Sequence, residues 1–217
     1  MGVKVNKNKL TNYELFSGGA FGSDAYFGII GQEYGIQQYH FRPPGNERLS
    51  KLLRDNNIQP VVLSKKEMDE CYKEVAHIYG KDNLEHNIGN DLKARNYYQV
   101  KNADAVFAIA KITGKAVKGG TNVAVQLGIL QSKPVYVYDY DDKKWYLWSV
   151  AENKFIVYND VPILTKKFAG VGTRGCQKYQ IQKNGEWIDT PDYLGISIET
   201  EVKSEIKKLF NKALKLA

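Results

Sequence analysis

The chain has 217 residues, 43% hydrophobic and 25% charged, with 31 Lys and Arg against 24 Asp and Glu, a formal net charge of +7 and a pI near 9.1. This length fits one domain with a real core; no window reaches the ~20 apolar residues of a membrane span, and the polar start Met1–Lys9 does not read as an export signal. Cys71 and Cys176 lie far apart without CxxC spacing and read as free thiols of a reducing cytoplasm. His40, His77 and His86 lack ligand spacing, so neither a metal nor another cofactor is expected.

In chain order, the apolar pattern predicts a strand over 12–16, a helix over 22–34 ending at Gly35, and a strand over 36–41 ending at Arg42-Pro43-Pro44-Gly45. A short helix over 47–55 and a strand around Val61–Leu63 follow. Ser64 with Glu67 three residues on reads as a capping box opening a helix from Lys65 to Tyr79. A second helix is predicted over Leu84–Lys101. The continuous apolar run Ala103–Ala110 predicts a buried strand, and Val135–Tyr138 another. Trp145–Trp148 and Phe155–Tyr158 read as a β-hairpin around Glu152-Asn153-Lys154, which breaks the β–α rhythm. A glycine turn is predicted over Phe168–Arg174, then an extended stretch over Tyr179–Trp187 with a turn at Asn184-Gly185. The last helix is expected from about Glu199. Its Val202, Ile206, Leu209, Phe210 and Ala213 face inward, and its lysines, Lys203 to Lys215, form a solvated face or a nucleic-acid stripe. The alternation argues for an α/β chain with a doubly wound, mostly parallel sheet, here a single domain over 1–217.

Two glycine turns stand between a predicted strand and a predicted helix: Ser17-Gly18-Gly19-Ala20-Phe21-Gly22-Ser23-Asp24 and Gly119-Gly120-Thr121. A helix start offers free N–H groups and partial positive charge, and glycine admits a phosphate close to the backbone. The pair therefore points to a nucleotide-type anion. Each turn also has a bland reading, as a tight connection without a ligand.

Four segments resemble the SLOG superfamily of Rossmann-like nucleotide-binding domains, which includes the "lonely guy" phosphoribohydrolases, YpsA-like proteins and DprA. They are Ser17–Asp24, Ala94-Arg95-Asn96-x-Tyr98-Gln99-Val100, Gly119-Gly120-Thr121, and Ala169-Gly170-Val171-Gly172-Thr173-Arg174. The Gly-x-Gly-Thr-Arg segment, first in the ordinary family order, comes last here. That order resembles the circularly permuted YpsA-like branch, with the first strand and helix at about 163–217 and the 145–158 hairpin as an insert. The resemblance implies a ligand at the C-terminal edge of the sheet, held by Ser17, Gly18, Gly19, Ser23, Asp24, Arg95, Gly119, Gly120, Thr121, Gln126, Gly170, Gly172, Thr173 and Arg174.

Residue by residue the readings divide. Asp24 either caps the first helix or accepts from a ribose. Arg95 lies nine residues before Asp104, as the phosphoribohydrolases place an arginine before Ala-Asp-Ala, and either clamps an anion or makes a salt bridge. Arg174 divides the same way. Tyr97 and Tyr98 read as core or as a base platform. The hydrolases carry Pro-Gly-Gly-x-Gly-Thr-x-x-Glu, but here Lys118-Gly119-Gly120-Thr121 leads to Gln126 where the glutamate is expected. An amide can read hydroxyls but cannot match a carboxylate beside an oxocarbenium-like centre. Asp24 and Glu33 remain as candidate catalytic acids.

Three functions follow. The first is a cytoplasmic protein that senses, carries or sequesters a nucleotide-derived ligand; small proteins of this class occur in phages and defence loci. The second is a nucleotide N-glycosidase, either a phosphoribohydrolase or deoxyribosyltransferase-like. The third is a DprA-like single-stranded DNA binder, which the scattered basic residues do not favour. A homo-oligomer is expected, and a membrane partner is not.

Overall fold

The computed structural model describes residues 9–80 and 84–217. The polar start, except Lys9, lies outside the described residues. In chain order the elements are β1 (Glu14–Ser17), α1 (Ser23–Glu33), β2 (Gln37–Arg42), α2 (Lys51–Asp55), β3 (Pro60–Val62), α3 (Lys65–Ala76) with a 3-10 turn (His77–Tyr79), α4 (Ile88–Ala94), α5 (Asn96–Lys101) and β4 (Ala105–Ile109). Then come β5 (Ile112–Thr113), β6 (Ala116–Val117), α6 (Thr121–Leu130), β7 (Val135–Asp139), β8 (Lys144–Ser149), β9 (Lys154–Tyr158), β10 (Lys167–Gly172), β11 (Gln180–Lys183), β12 (Glu186–Asp189) and α7 (Ile196–Leu216).

Eight strands form one sheet in the order β3-β2-β1-β10-β4-β7-β8-β9. Every pair from β3 to β7 is parallel, while β8 and β9 extend the sheet antiparallel. The latest of these strands in sequence, β10, sits at the centre between β1 and β4. Strand alternation sends Val106, Ala108, Ala169 and Val171 to one face, against Met68, Cys71 and Val75 of α3, Val100 of α5 and Val123 and Leu127 of α6. Phe107, Ile109 and Phe168 point to the other, against Phe27 and Ile30 of α1 and Ile206, Leu209 and Phe210 of α7. The chain is thus α/β, with helices covering both faces of a mostly parallel sheet. Among the described residues no helix is long and apolar enough to cross a membrane.

Local chemistry explains most boundaries. The Ser64–Glu67 box forms in both directions: Glu67 N donates to Ser64 Oγ at 3.3 Å and Ser64 N to Glu67 Oε2 at 2.6 Å. Asn184 and Gly185 take φ of 53° and 85°, the doubly left-handed turn that suits a tight hairpin between β11 and β12.

Three expectations need correction. The helix predicted over 84–101 is two helices, α4 and α5, parted at Arg95. Asn96 Nδ2 donates to Lys93 O at 2.9 Å and Leu92 O at 3.4 Å, taking carbonyls that continue a helical ladder, a known competition from short amide side chains. The glycines expected in a turn over 168–174 belong largely to β10 itself. A Cβ on Gly170 would sit 2.7 Å from Leu15 and Phe27, so this glycine lets α1 pack directly on the sheet. Finally, the small hairpin β5–β6 intervenes between β4 and Gly119, so the second glycine turn does not follow its strand directly. Two-residue strands carry too little periodicity to be read from sequence.

Candidate functional site

In an open parallel sheet, ligands gather beyond the C-terminal ends of the strands. β1 opens there into Gly18–Gly22, β2 ends in Arg42, and β10 runs into Thr173–Gln177. The break between α4 and α5 brings Arg95 to the same place. Arg95 is only 5% exposed. Its guanidinium occupies the space a Gly18 side chain would need: a Cβ there would lie 1.8 Å from Nη1 and 1.9 Å from Nη2. Arg42, also buried, donates through Nη1 to the Gly18 carbonyl at 3.4 Å and is held from behind by Asn46, with Nε to Asn46 O at 2.8 Å. Two guanidinium groups therefore converge on one glycine.

The counter-charge is Asp24, whose Oδ2 lies 3.7 Å from Arg95 Nη2, at the long end of an ion pair. Its Oδ1 accepts from Gly172 N at 3.0 Å, tying α1 to the end of β10. Burial pushes the Asp24 carboxyl up, opposed by Arg95 and by the N–H groups of Gly172, Ala20 and Gly18. Burial pushes Arg95 down, against the pull of Asp24. For both partners desolvation outweighs the pair, as expected of buried charges held this far apart. Arg42 is lowered to about 10 by burial and by Arg95. His40, fully buried within β2, shares a 2.9 Å hydrogen bond between Nε2 and Gln38 Oε1. Burial, with Arg95 second, lowers it to about 4, so it is neutral at pH 7.

Several buried polar atoms here have no partner among the described residues: Arg95 Nε, His40 Nδ1, and both Nε2 and Oε1 of Gln99, one turn beyond Arg95 on α5. A buried polar atom left unpaired costs about 1–3 kcal/mol.

The two glycine turns, equivalent in sequence, differ in structure. At α1 the N–H groups are already taken: Gly22 N donates to Gln177 Oε1 at 2.8 Å and Ser23 N to Thr173 O at 3.1 Å. Ser23 Oγ also donates to Thr173 O at 3.2 Å and lies 3.3 Å from Cys176 Sγ, and Phe21 stacks on Tyr179 with centroids 4.2 Å apart. At α6 the N–H groups of Gly119 and Gly120 have no partner among the described residues. Both glycines are exposed, and a Cβ at either would meet nothing within 4 Å. Thr121, at the first position of the helix, is 9% exposed. Of the two turns, the one at α6 leaves its glycine N–H groups open.

The other expected residues separate. Ser17 Oγ donates to Gly170 O at 2.7 Å, a structural tie between β1 and β10. Gly19, at φ 60°, carries the loop past His40. A Cβ on Gly172 would meet Ser23 Cβ at 2.6 Å and Ile109 O at 2.7 Å, so Gly172 admits α1 rather than facing outward. Thr173 offers its carbonyl to Ser23, and Arg174 is exposed with its backbone against Gly22. Gln126 Nε2 donates to Lys115 O at 3.0 Å and so braces the β5–β6 hairpin. Glu33 is not brought to the cluster: it lies nine residues beyond Asp24, ~14 Å along the helix, and pairs with Lys207 at 3.5 Å. Tyr97 and Tyr98 donate to Glu70 at 3.2 and 3.1 Å.

Not expected from the sequence were Arg42 beside Gly18 and Gln177 as the acceptor of Gly22 N. The last position of a strand entering the ligand edge was the available signal for Arg42. Gln177 comes from a stretch without periodicity and had none. An open hollow of about 460 Å³ lined by Pro44, Lys65, Met68, Asp69, His86 and Asp91 lies apart from the cluster. It touches the cluster only through chain neighbours, since Pro44 follows Arg42 by two residues and Asp91 precedes Arg95 by a helical turn. Compared with protein-family models, curated proteins and solved structures, the chain matches none.

Proposed function

We propose that this chain binds a nucleotide-derived anion at the C-terminal edge of its sheet, as a sensor, carrier or sequestering protein of the SLOG kind. The observation that carries the reading is Arg95: a buried guanidinium pressed on Gly18, with a 3.7 Å ion pair to Asp24, a 3.3 Å hydrogen bond from Nη1 to Asn96 Oδ1, and an Nε–H that nothing among the described residues engages. The unpaired Nε–H is a cost to the unliganded protein, whereas an anion reaching the guanidinium gives it a charged partner. Arg42 adds charge from the other side, and Gly119, Gly120 and Thr121 supply N–H groups and a hydroxyl at the start of α6. The central position of a late strand, β10, fits a permuted order of the family's strands.

A cleavage reading rests on Asp24, the carboxylate nearest Arg95. It is the weaker reading, because Asp24 Oδ1 is engaged by Gly172 and Gln126 stands where the hydrolases carry their glutamate. A DNA-binding reading keeps only the overall basic charge, because along α7 Lys203, Lys207, Lys208 and Lys212 are each paired with an acid rather than forming a free stripe.

The test is a panel of nucleoside mono-, di- and cyclic phosphates and ADP-ribose derivatives, scored together for thermal shift and liberated base. Stabilisation without base release is the expected result. Base release that vanishes in Asp24→Asn would transfer the protein to the N-glycosidases, and the absence of any stabilising compound would remove the nucleotide reading.

A further inference from the structure

The main sheet has two outer edges, and they are built differently. At one, β3 is three residues long and begins with Pro60, both devices that blunt an edge. At the other, β9 runs Lys154-Phe155-Ile156-Val157-Tyr158 without Pro or Gly. It pairs with β8 at five consecutive positions, from Trp145↔Tyr158 to Ser149↔Lys154, with no bulge to twist the edge away. Its one charge, Lys154, is bonded to Glu152 at 2.8 Å, and Val157 is 46% exposed. Among the described residues, nothing hydrogen-bonds to the outer edge of β9. A straight, apolar edge of this kind is a ready template for another strand.

We propose that β9 pairs antiparallel with β9 of a second copy of this chain, across a twofold axis through Val157, joining the two sheets into one. Charge selects both the occupant and the register. With Val157 opposite Val157 of the second copy, Ile156 faces Tyr158, and at both ends Lys154 meets Asp160, two residues past the strand, each exchanging its present partner, Glu152 or Lys212, for the other. A register centred on Ile156 instead sets Glu152 against Asp160, a like-charge contact that destabilises a ladder. The strand is thus complementary to itself, as a twofold interface requires. Three positions of the two strands lie directly opposite each other, which places the contact at the small end of specific interfaces, so the dimer forms and dissociates with concentration. The pairing stands or falls independently of the ligand.

The test joins sedimentation velocity over a concentration series to a cross-link. Residues directly opposite in an antiparallel pair lie within disulfide reach. Val157→Cys should therefore run as a covalent dimer on non-reducing gels after mild oxidation, and Cys71 and Cys176, both fully buried, do not compete. The wild type should shift from monomer to dimer as concentration rises. Val157→Lys, which sets two lysines against each other on the axis, should stay monomeric with an unchanged melting temperature. A wild type that sediments as monomer throughout, a dimer that survives Val157→Lys, or no cross-link in Val157→Cys would overturn the proposal.

Discussion

A methyl group on Gly18 would land 1.8 Å from Arg95 Nη1, so residue 18 and Arg95 exclude each other. Gly18→Ala is therefore expected to drive the guanidinium out of the loop. It should weaken binding of any stabilising nucleotide by at least ~10-fold, about 1.4 kcal/mol, as read by titration calorimetry. Equal affinity in Gly18→Ala would mean that the ligand does not use Arg95. His40 gives a pH signature. Folded His40 stays neutral down to about pH 4, while the unfolded residue takes its proton near 6.5. Between those values only the unfolded chain binds that proton, so stability must fall as pH drops, by up to ~3 kcal/mol, and level off below about 4. Urea midpoints measured from pH 7 to 4 should show this slope in the wild type and lose most of it in His40→Gln. At this scale the sequence pointed to Arg95, Gly18 and Asp24 through their motifs. It could not reveal that Gly22 and Ser23 are capped by Gln177 and Thr173, because those contacts join positions about 150 residues apart.

At the scale of elements, the capping box on α3 makes a local prediction. Ser64→Ala removes the acceptor of Glu67 N and should cost ~1 kcal/mol, seen as a fall of ~2–4 °C in melting temperature by calorimetry. No change would mean that the first turn of α3 contributes nothing to stability. Strands and helices with strong periodicity or continuous apolar runs were legible: β4, β7, the β8–β9 hairpin and the inward face of α7 lie within a few residues of their expected ranges. Two elements were not. The break at Arg95 depends on Asn96 bonding back to Lys93, a choice between two hydrogen-bonding patterns that composition leaves open. The β5–β6 hairpin is set by tertiary contacts: Asp139 Oδ2 accepts from Ile112 N at 2.8 Å and Gln126 donates to Lys115 O.

Across the whole molecule, strand order gathers the site. Asp24 and Gly172, distant in sequence, meet because β10 enters the sheet beside β1, and Asp24 Oδ1 accepts from Gly172 N as a result. The basic character of the chain is partly offset within it by ion pairs along α7, and at the site two buried guanidinium groups, Arg42 and Arg95, stand against one buried carboxylate, Asp24. The most direct measurement is calorimetric titration of the best nucleotide from the panel into the wild type and Arg95→Met, with the melting temperature of each followed in parallel. If Arg95 is held for a ligand, binding is lost while the melting temperature stays within a few degrees, since the pair it leaves is long and Asp24, its carboxyl already pushed up by burial, can take a proton. Retained affinity, or unfolding with no ligand effect to lose, would contradict a ligand-binding role for Arg95.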